Sequence, residues 1–213
     1  VTPLQKRIVL ALAIVIGLTR LLAVAHSLFD WDEALFSLGV RDYDVPGHRP
    51  HPPGYPLYIA AAKVVHLTGL DEFRSLQLLV VLGALFVFPA LFFLARELGF
   101  DFGTAVAGAA IYAFLPNVWI YGGTAFSDVP ATVIVFTACA LLLRGRRDAR
   151  AYVWGAIVLG IAAGIRPANL LVGAVPALLA TLAQLRRPLL SSRASSRGTW
   201  AGGGAMNVPR APA

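Results

Sequence analysis

Charge is scarce in this sequence. Asp, Glu, Lys and Arg make up 14% of its 213 residues, against about 25% in a typical soluble domain. That shortage argues against an ordinary water-facing surface. There is one cysteine, Cys139, so no intrachain disulfide can form and the redox compartment leaves no trace. His26, His48 and His66 lack metal-ligand spacing, which argues against a structural zinc site. No P-loop, nucleophile elbow or dinucleotide fingerprint occurs. Basic clusters interleaved with aromatics are missing too, so a net charge of +7 does not point to nucleic acid.

What remains is apolar. Hydrophobic residues make up 58% of the chain and the mean hydropathy is +0.72. Such a chain must bury most of its surface, and lipid is the natural medium. A helix crossing the hydrocarbon core needs roughly 20 mostly apolar residues. The expected architecture is all-α: a polytopic transmembrane helical bundle of about six spans, at 8–25, 76–95, 104–121, 131–143, 152–165 and 168–185. The first run follows Lys6 and Arg7. It is long for a signal-peptide core and has no clean cleavage site, so it reads as a retained signal anchor.

A long polar stretch, 26–75, separates the first two spans. Within it, 56–69 is moderately apolar but only 14 residues long. That length suits a helix lying in the membrane interface. Charge asymmetry sets the expected orientation. With Lys6 and Arg7 cytoplasmic, six crossings place Arg96, the Arg144–Arg150 cluster and Arg186/Arg187 inside. A seventh crossing at 56–69 would put the arginine cluster outside. The expectation is therefore a bacterial-type inner membrane protein with a cytoplasmic N-terminus. Asp32, Glu33, His51, Arg74, Asp128 and Arg166 then gather on the outer face. Residues 188–213 are rich in Ser, Gly, Ala and Arg without apolar period, and a disordered or aberrant tail is expected there.

Several of these outer residues carry chemistry. Asp32 and Glu33 lie just beyond the first span, in Asp30-Trp31-Asp32-Glu33. Carboxylates at a membrane surface are raised in pKa by desolvation and can act as general bases. The same tetrad can equally be an acidic cap opening an interfacial helix. His51-Pro52-Pro53-Gly54-Tyr55-Pro56 forces an extended entry and then permits a helix start. Its backbone N–H groups, with His51 beside them, would seat a phosphate; otherwise it is a proline turn with Tyr55 and Tyr58 as interfacial anchors.

Arg20 lies inside the first span near its outer end. At the centre of a membrane helix an arginine costs about 2.5–3.5 kcal/mol, so it needs a partner or a headgroup. Arg74 and Arg166 at the outer boundary either clamp a phosphate or snorkel. Asp128 orients an acceptor or cation, or caps the span at 131–143.

Taken in order, these elements resemble the GT-C superfamily of membrane glycosyltransferases, in particular its protein O-mannosyltransferase-like and aminoarabinose transferase-like members. The resemblance covers about residues 6–187, the module's expected extent being 1–187. It rests on outer Arg20, the Asp32-Glu33 pair, His51-Pro52-Pro53, Arg74, Asp128 and Arg166-Pro167.

It implies transfer of a sugar from a polyprenyl-phosphate carrier to a protein, lipid or glycan hydroxyl at the outer face. It makes Asp32 the base and Glu33 its support. His51, Arg74 and Arg166, with Arg20, would serve the donor phosphate, and Asp128 would complete the site. No cofactor is required, and a divalent cation is compatible with the site. Family members continue for several more spans, so the resemblance also implies a truncated N-terminal part whose own activity is open. A membrane transporter or a non-catalytic scaffold fragment are the alternatives.

Overall fold

A computed structural model of the chain describes residues 2–28 and 30–198. Among the described residues there are ten α-helices and no strand. Five of the ten helices begin where a short polar side chain accepts a backbone N–H of the first turn, satisfying donors that have no partner within the helix. Thr2 and Gln5 close a reciprocal capping box on α1, Pro3–Thr19, which runs into a 3-10 turn at Arg20–Ala23. Asp30 and Glu33 do the same for α2, Trp31–Arg41. The acidic tetrad is thus a helix cap, whatever else it does. Then α3, Pro56–His66, starts at a proline without a side-chain cap.

Asp71 caps α4, Glu72–Leu85, and Asp101 caps α6, Phe102–Ala113. Between them lies α5, Val87–Glu97. The rest of the bundle is α7, Pro116–Tyr121; α8, Asp128–Gly145; α9, Ala149–Ile165, capped by Asp148; and α10, Asn169–Gly198.

The six expected spans are not what the helices provide. Two helices are long and apolar enough to cross a membrane: α8, and α10 over Asn169–Arg186. The pair α4–α5 makes a third only if it counts as one span bent by 42°. The bend has a local cause. Pro89 has no N–H for the carbonyl of Leu85, four residues earlier, and its ring crowds that carbonyl, so α4 ends there. The expected span 104–121 breaks for a related reason. Pro116 drives Leu115 out of the helical region to ψ 132°, leaving α6 with 12 residues and α7 with 6. Nor is 8–25 one apolar helix: α1 carries Lys6 and Arg7 and ends at Thr19. Helix α9, with 17 residues, is one of the shorter apolar helices. The expected break at 188 falls inside α10, and 199–213 lie outside the described residues.

Helix α8 is the axis of the bundle. It is 61% buried, whereas the apolar part of α10 is 17% buried and lies on the periphery. Packing around α8 depends on small residues, which let helix backbones approach closely. A Cβ on Gly83 of α4 would come within 2.9 Å of Pro130 Cα. One on Gly155 of α9 would meet the Leu142 backbone at 2.9 Å. The main core joins Leu76, Val80, Phe88, Phe92, Ala109 and Val133. Large apolar side chains also face outward, among them Leu10 on α1, Ile111 on α6, Trp154 on α9 and Leu171 on α10. Water would penalise such a surface and hydrocarbon would not.

Candidate active site

One end of the bundle is tied together by backbone groups that no helix satisfies. The N–H of Ala25 donates to the Gly123 carbonyl at 2.9 Å, joining the segment after α1 to the α7–α8 connection. Gln77, on the first turns of α4 and 4% exposed, donates its amide to Ala25 O at 2.8 Å and Gly123 O at 2.7 Å. Arg74 adds bonds to Ala25 O at 3.0 Å, His26 O at 3.2 Å and Gln77 Oε1 at 2.5 Å. The Arg74 guanidinium is therefore spent on holding chain segments together. Gly123 has to be glycine, because a Cβ there would collide with the Ala23 carbonyl.

Two residues away, Ala125 is held from both sides. Glu33 Oε1 accepts its N–H at 2.5 Å and the Tyr58 hydroxyl donates to its carbonyl at 2.8 Å. Glu33 and Tyr58 are both buried. Glu33 Oε2 also accepts the Asp30 N–H at 3.2 Å. Glu33 is thus a buried strut between α2 and the α7–α8 connection, and its neighbour Asp32 points to the open side with 47% of its side chain exposed.

Asp32 faces His51. Its Oδ1 lies 3.8 Å from His51 Nδ1, beyond hydrogen-bond range, and that nitrogen is buried without a hydrogen-bond partner. On the other side of the ring, His51 Nε2 and the Tyr55 hydroxyl are 3.0 Å apart. Phe36 fixes the imidazole from below, with ring centroids 5.4 Å from His51 and 4.9 Å from Tyr55. Tyr55 sits at φ 47°, ψ 52°, a left-handed conformation that is uncommon for an aromatic residue and collects at functional sites. The loop that presents it is braced by Arg49, which bonds Asp44 at 2.6 Å and Asp42 at 2.9 Å.

The remaining charges meet beside this row. Arg166, which ends α9, pairs with Asp128, the first residue of α8. Burial pushes the Tyr55 phenol above its ordinary value; Arg166 pulls it down, and Asp32 and Asp128 push it up. One phenol thus lies within the electrostatic reach of all three groups. The Tyr58 phenol is pushed well above its ordinary value by burial, with Glu33 and Asp128 adding to it. Asp32, His51 and Tyr55 form one polar row, and the end of α9 that leads into Arg166 packs against the start of α3, where the Leu57 side chain lies against Gly164.

Arg20 stands apart. It is fully buried and donates to the carbonyls of Val118, at 3.3 Å, and Ala113. Those carbonyls flank the α6–α7 break, where helix bonds are lost. A side chain so enclosed clamps the break between α6 and α7.

Tyr55, Tyr58 and Gln77 were missing from the expected site. The two tyrosines looked like interfacial anchors. Gln77 left a signal, as an amide inside an apolar run. Among the described residues no cluster of three or more His, Cys, Asp or Glu side chains could hold a metal ion. No protein-family model, curated protein or solved structure matches the chain.

Proposed function

We propose that this chain carries the outer-face site of a GT-C-type membrane glycosyltransferase, which passes a sugar from a polyprenyl-phosphate carrier to a hydroxyl acceptor. The observation that supports this most is a half-exposed carboxylate, Asp32, facing the His51–Tyr55 pair at the end of apolar helices, with the Asp128–Arg166 ion pair where α8 begins and α9 ends. A lipid-tethered donor requires chemistry at the bilayer boundary. A phosphate leaving group requires a preorganised cationic partner.

In this reading the acceptor hydroxyl attacks the sugar's anomeric carbon, and the bond from that carbon to the carrier phosphate breaks. Asp32 takes the hydroxyl proton. Arg166, with the uncapped N-terminus of α3, stabilises the phosphate that departs. Glu33 and Arg74 are positioning residues that hold α2 and α4 to the α7–α8 connection. The acceptor is a protein, lipid or glycan hydroxyl.

The test is sugar transfer from a polyprenyl-phosphate donor in membranes containing the chain, with and without Asp32→Asn. Transfer that disappears in the variant supports the reading. Absence of transfer from every common polyprenyl sugar overturns it.

A second reading, a transporter, draws on the broken helices. The bend at Leu85–Val87, the break at Pro116 and the buried Arg20 are features that line substrate paths in transporters. Accumulation of a solute in sealed vesicles, insensitive to Asp32→Asn, would favour it.

A further inference from the structure

An apolar groove of about 740 Å³ runs along α1 where that helix faces the junction of α4 and α5. Ala13, Ile14 and Gly17 line it from α1, and Leu85, Phe86 and Phe93 stand opposite. The 42° bend between α4 and α5 lies in that wall, and Pro89 is part of the lining. Lys6 is the only charged residue in it. We infer that the groove holds an acyl chain of an anionic phospholipid, with the headgroup phosphate at Lys6.

The walls select the chain. Apart from Lys6, every lining residue is apolar, so no hydroxyl, amide or carboxylate is there to orient a polar ligand. Leu10, Ile14, Phe86 and Phe93 are all exposed, and water in the groove would face a continuous apolar surface. The volume lies within the roughly 300–1,000 Å³ of ligand sites. Lys6 selects the headgroup. The α1 lining runs from Lys6 to Leu18, about 18 Å along the helix axis, so the charge stands at one end of the groove. None of the ion pairs among the described residues uses Lys6 or the adjacent Arg7. Each such cation at a membrane surface favours anionic headgroups, and an ammonium binds phosphate as a compact point charge.

Two other occupants fit less well. The sugar carrier of the proposed reaction must bring its phosphate to Asp32. The chain beyond α1 reaches that end of the bundle, where Ala25 bonds Gly123, whereas Lys6 lies about 20 Å back along α1 from Thr19. The phospholipid is therefore a structural partner, and the inference does not depend on the transferase reading. A second copy docked here about a two-fold axis would set like patches against each other. Lys6 and Arg7 would then meet their own counterparts and repel, whereas an anionic lipid neutralises them.

The experiment is native mass spectrometry of the purified full chain released from detergent, titrated with dioleoyl phosphatidylglycerol or dioleoyl phosphatidylcholine. The thermal midpoint is followed in the same mixtures. The tightest-bound lipid should be phosphatidylglycerol, with phosphatidylcholine about ten-fold weaker, and phosphatidylglycerol should raise the midpoint. Lys6→Gln should weaken phosphatidylglycerol about five-fold and leave phosphatidylcholine unchanged. Ile14→Trp, which narrows the groove, should weaken both lipids. Lys6 is exposed, so its variant carries the test should the bulkier one fail to fold. Equal affinity for the two lipids, or undiminished phosphatidylglycerol binding in Lys6→Gln, overturns the headgroup assignment. Unchanged lipid binding in folded Ile14→Trp places the chain elsewhere and overturns the groove. A lipid-free dimer would give the groove to a second copy.

Discussion

Glu33 Oε1 accepts the backbone N–H of Ala125 at 2.5 Å, across 92 residues of sequence. This single bond fixes the helix bearing Asp32 against the connection that leads into Asp128. Removing the acceptor leaves a buried N–H without a partner, which costs about 1–3 kcal/mol. Glu33→Ala is therefore expected to lower the thermal midpoint in detergent clearly. Asp32→Ala, at a half-exposed side chain, should change stability by no more than about 0.5 kcal/mol. Equal losses from the two variants would contradict the division of labour between them.

Arg166 and Asp128 are partly exposed, at 33% and 49% of their side chains. Water screens such a pair, so its coupling should be about 0.2–1 kcal/mol in a double-mutant cycle. Function should be more sensitive than stability. Arg166→Gln is expected to lower kcat/KM for the polyprenyl donor about 100-fold, the usual scale for losing one fixed charge-stabilising group. A variant that folds and transfers at the wild-type rate would remove Arg166 from the donor site.

Two glycines make an internal control. A Cβ at Gly123 would run into the Ala23 carbonyl, whereas one at Gly108, within α6, meets nothing within 4 Å. Gly123→Ala should destabilise strongly or prevent folding, because backbone cannot step aside. Gly108→Ala should stabilise by about 0.5–1 kcal/mol through helix propensity. Comparable thermal midpoints for the two variants would refute the close approach at Gly123.

The loop before α3 should be sensitive to acid. Arg49, bonded to Asp44, and the Gly47 N–H hold the Asp44 carboxyl below the ordinary carboxylate value. Since its folded pKa is depressed, Asp44 steadies the loop above the unfolded value. That contribution is lost as pH falls through the folded one. The Gly47 amide resonance should report a midpoint lower than that of a free aspartate. Arg49→Gln should move the midpoint up, and an unmoved midpoint would separate the loop from this ion pair.

Sidedness is testable by cysteine labelling on a Cys139→Ala background. Gly47 and Gly145 are poor sites, since a Cβ would clash with Asp44 at the first and lie 2.7 Å from Tyr152 Cα at the second. Thr68 and Ala149 are exposed. With α8 the one helix between them long and apolar enough to cross a membrane, Thr68→Cys should label from one side and Ala149→Cys from the other. Labelling of both from one side would overturn it.

The sequence by itself determined the helical class and much of its punctuation. The acidic cap opening at Asp30 acts over two or three residues of the chain. Such signals are local and therefore legible. The number of crossings was less legible, because hydropathy counts apolar residues and does not register where Pro89 and Pro116 interrupt a helix. Only the tertiary structure decided what each polar side chain does. Arg20 and Arg74 look like phosphate ligands in sequence, yet they bond carbonyls of Val118 and Ala25. Tyr55 and Tyr58 look like anchors, yet one meets His51 and the other Ala125. Most of these pairings span about 50 to 100 residues and follow no period. A buried polar group takes the partner that packing brings within reach, and packing is a property of the whole chain.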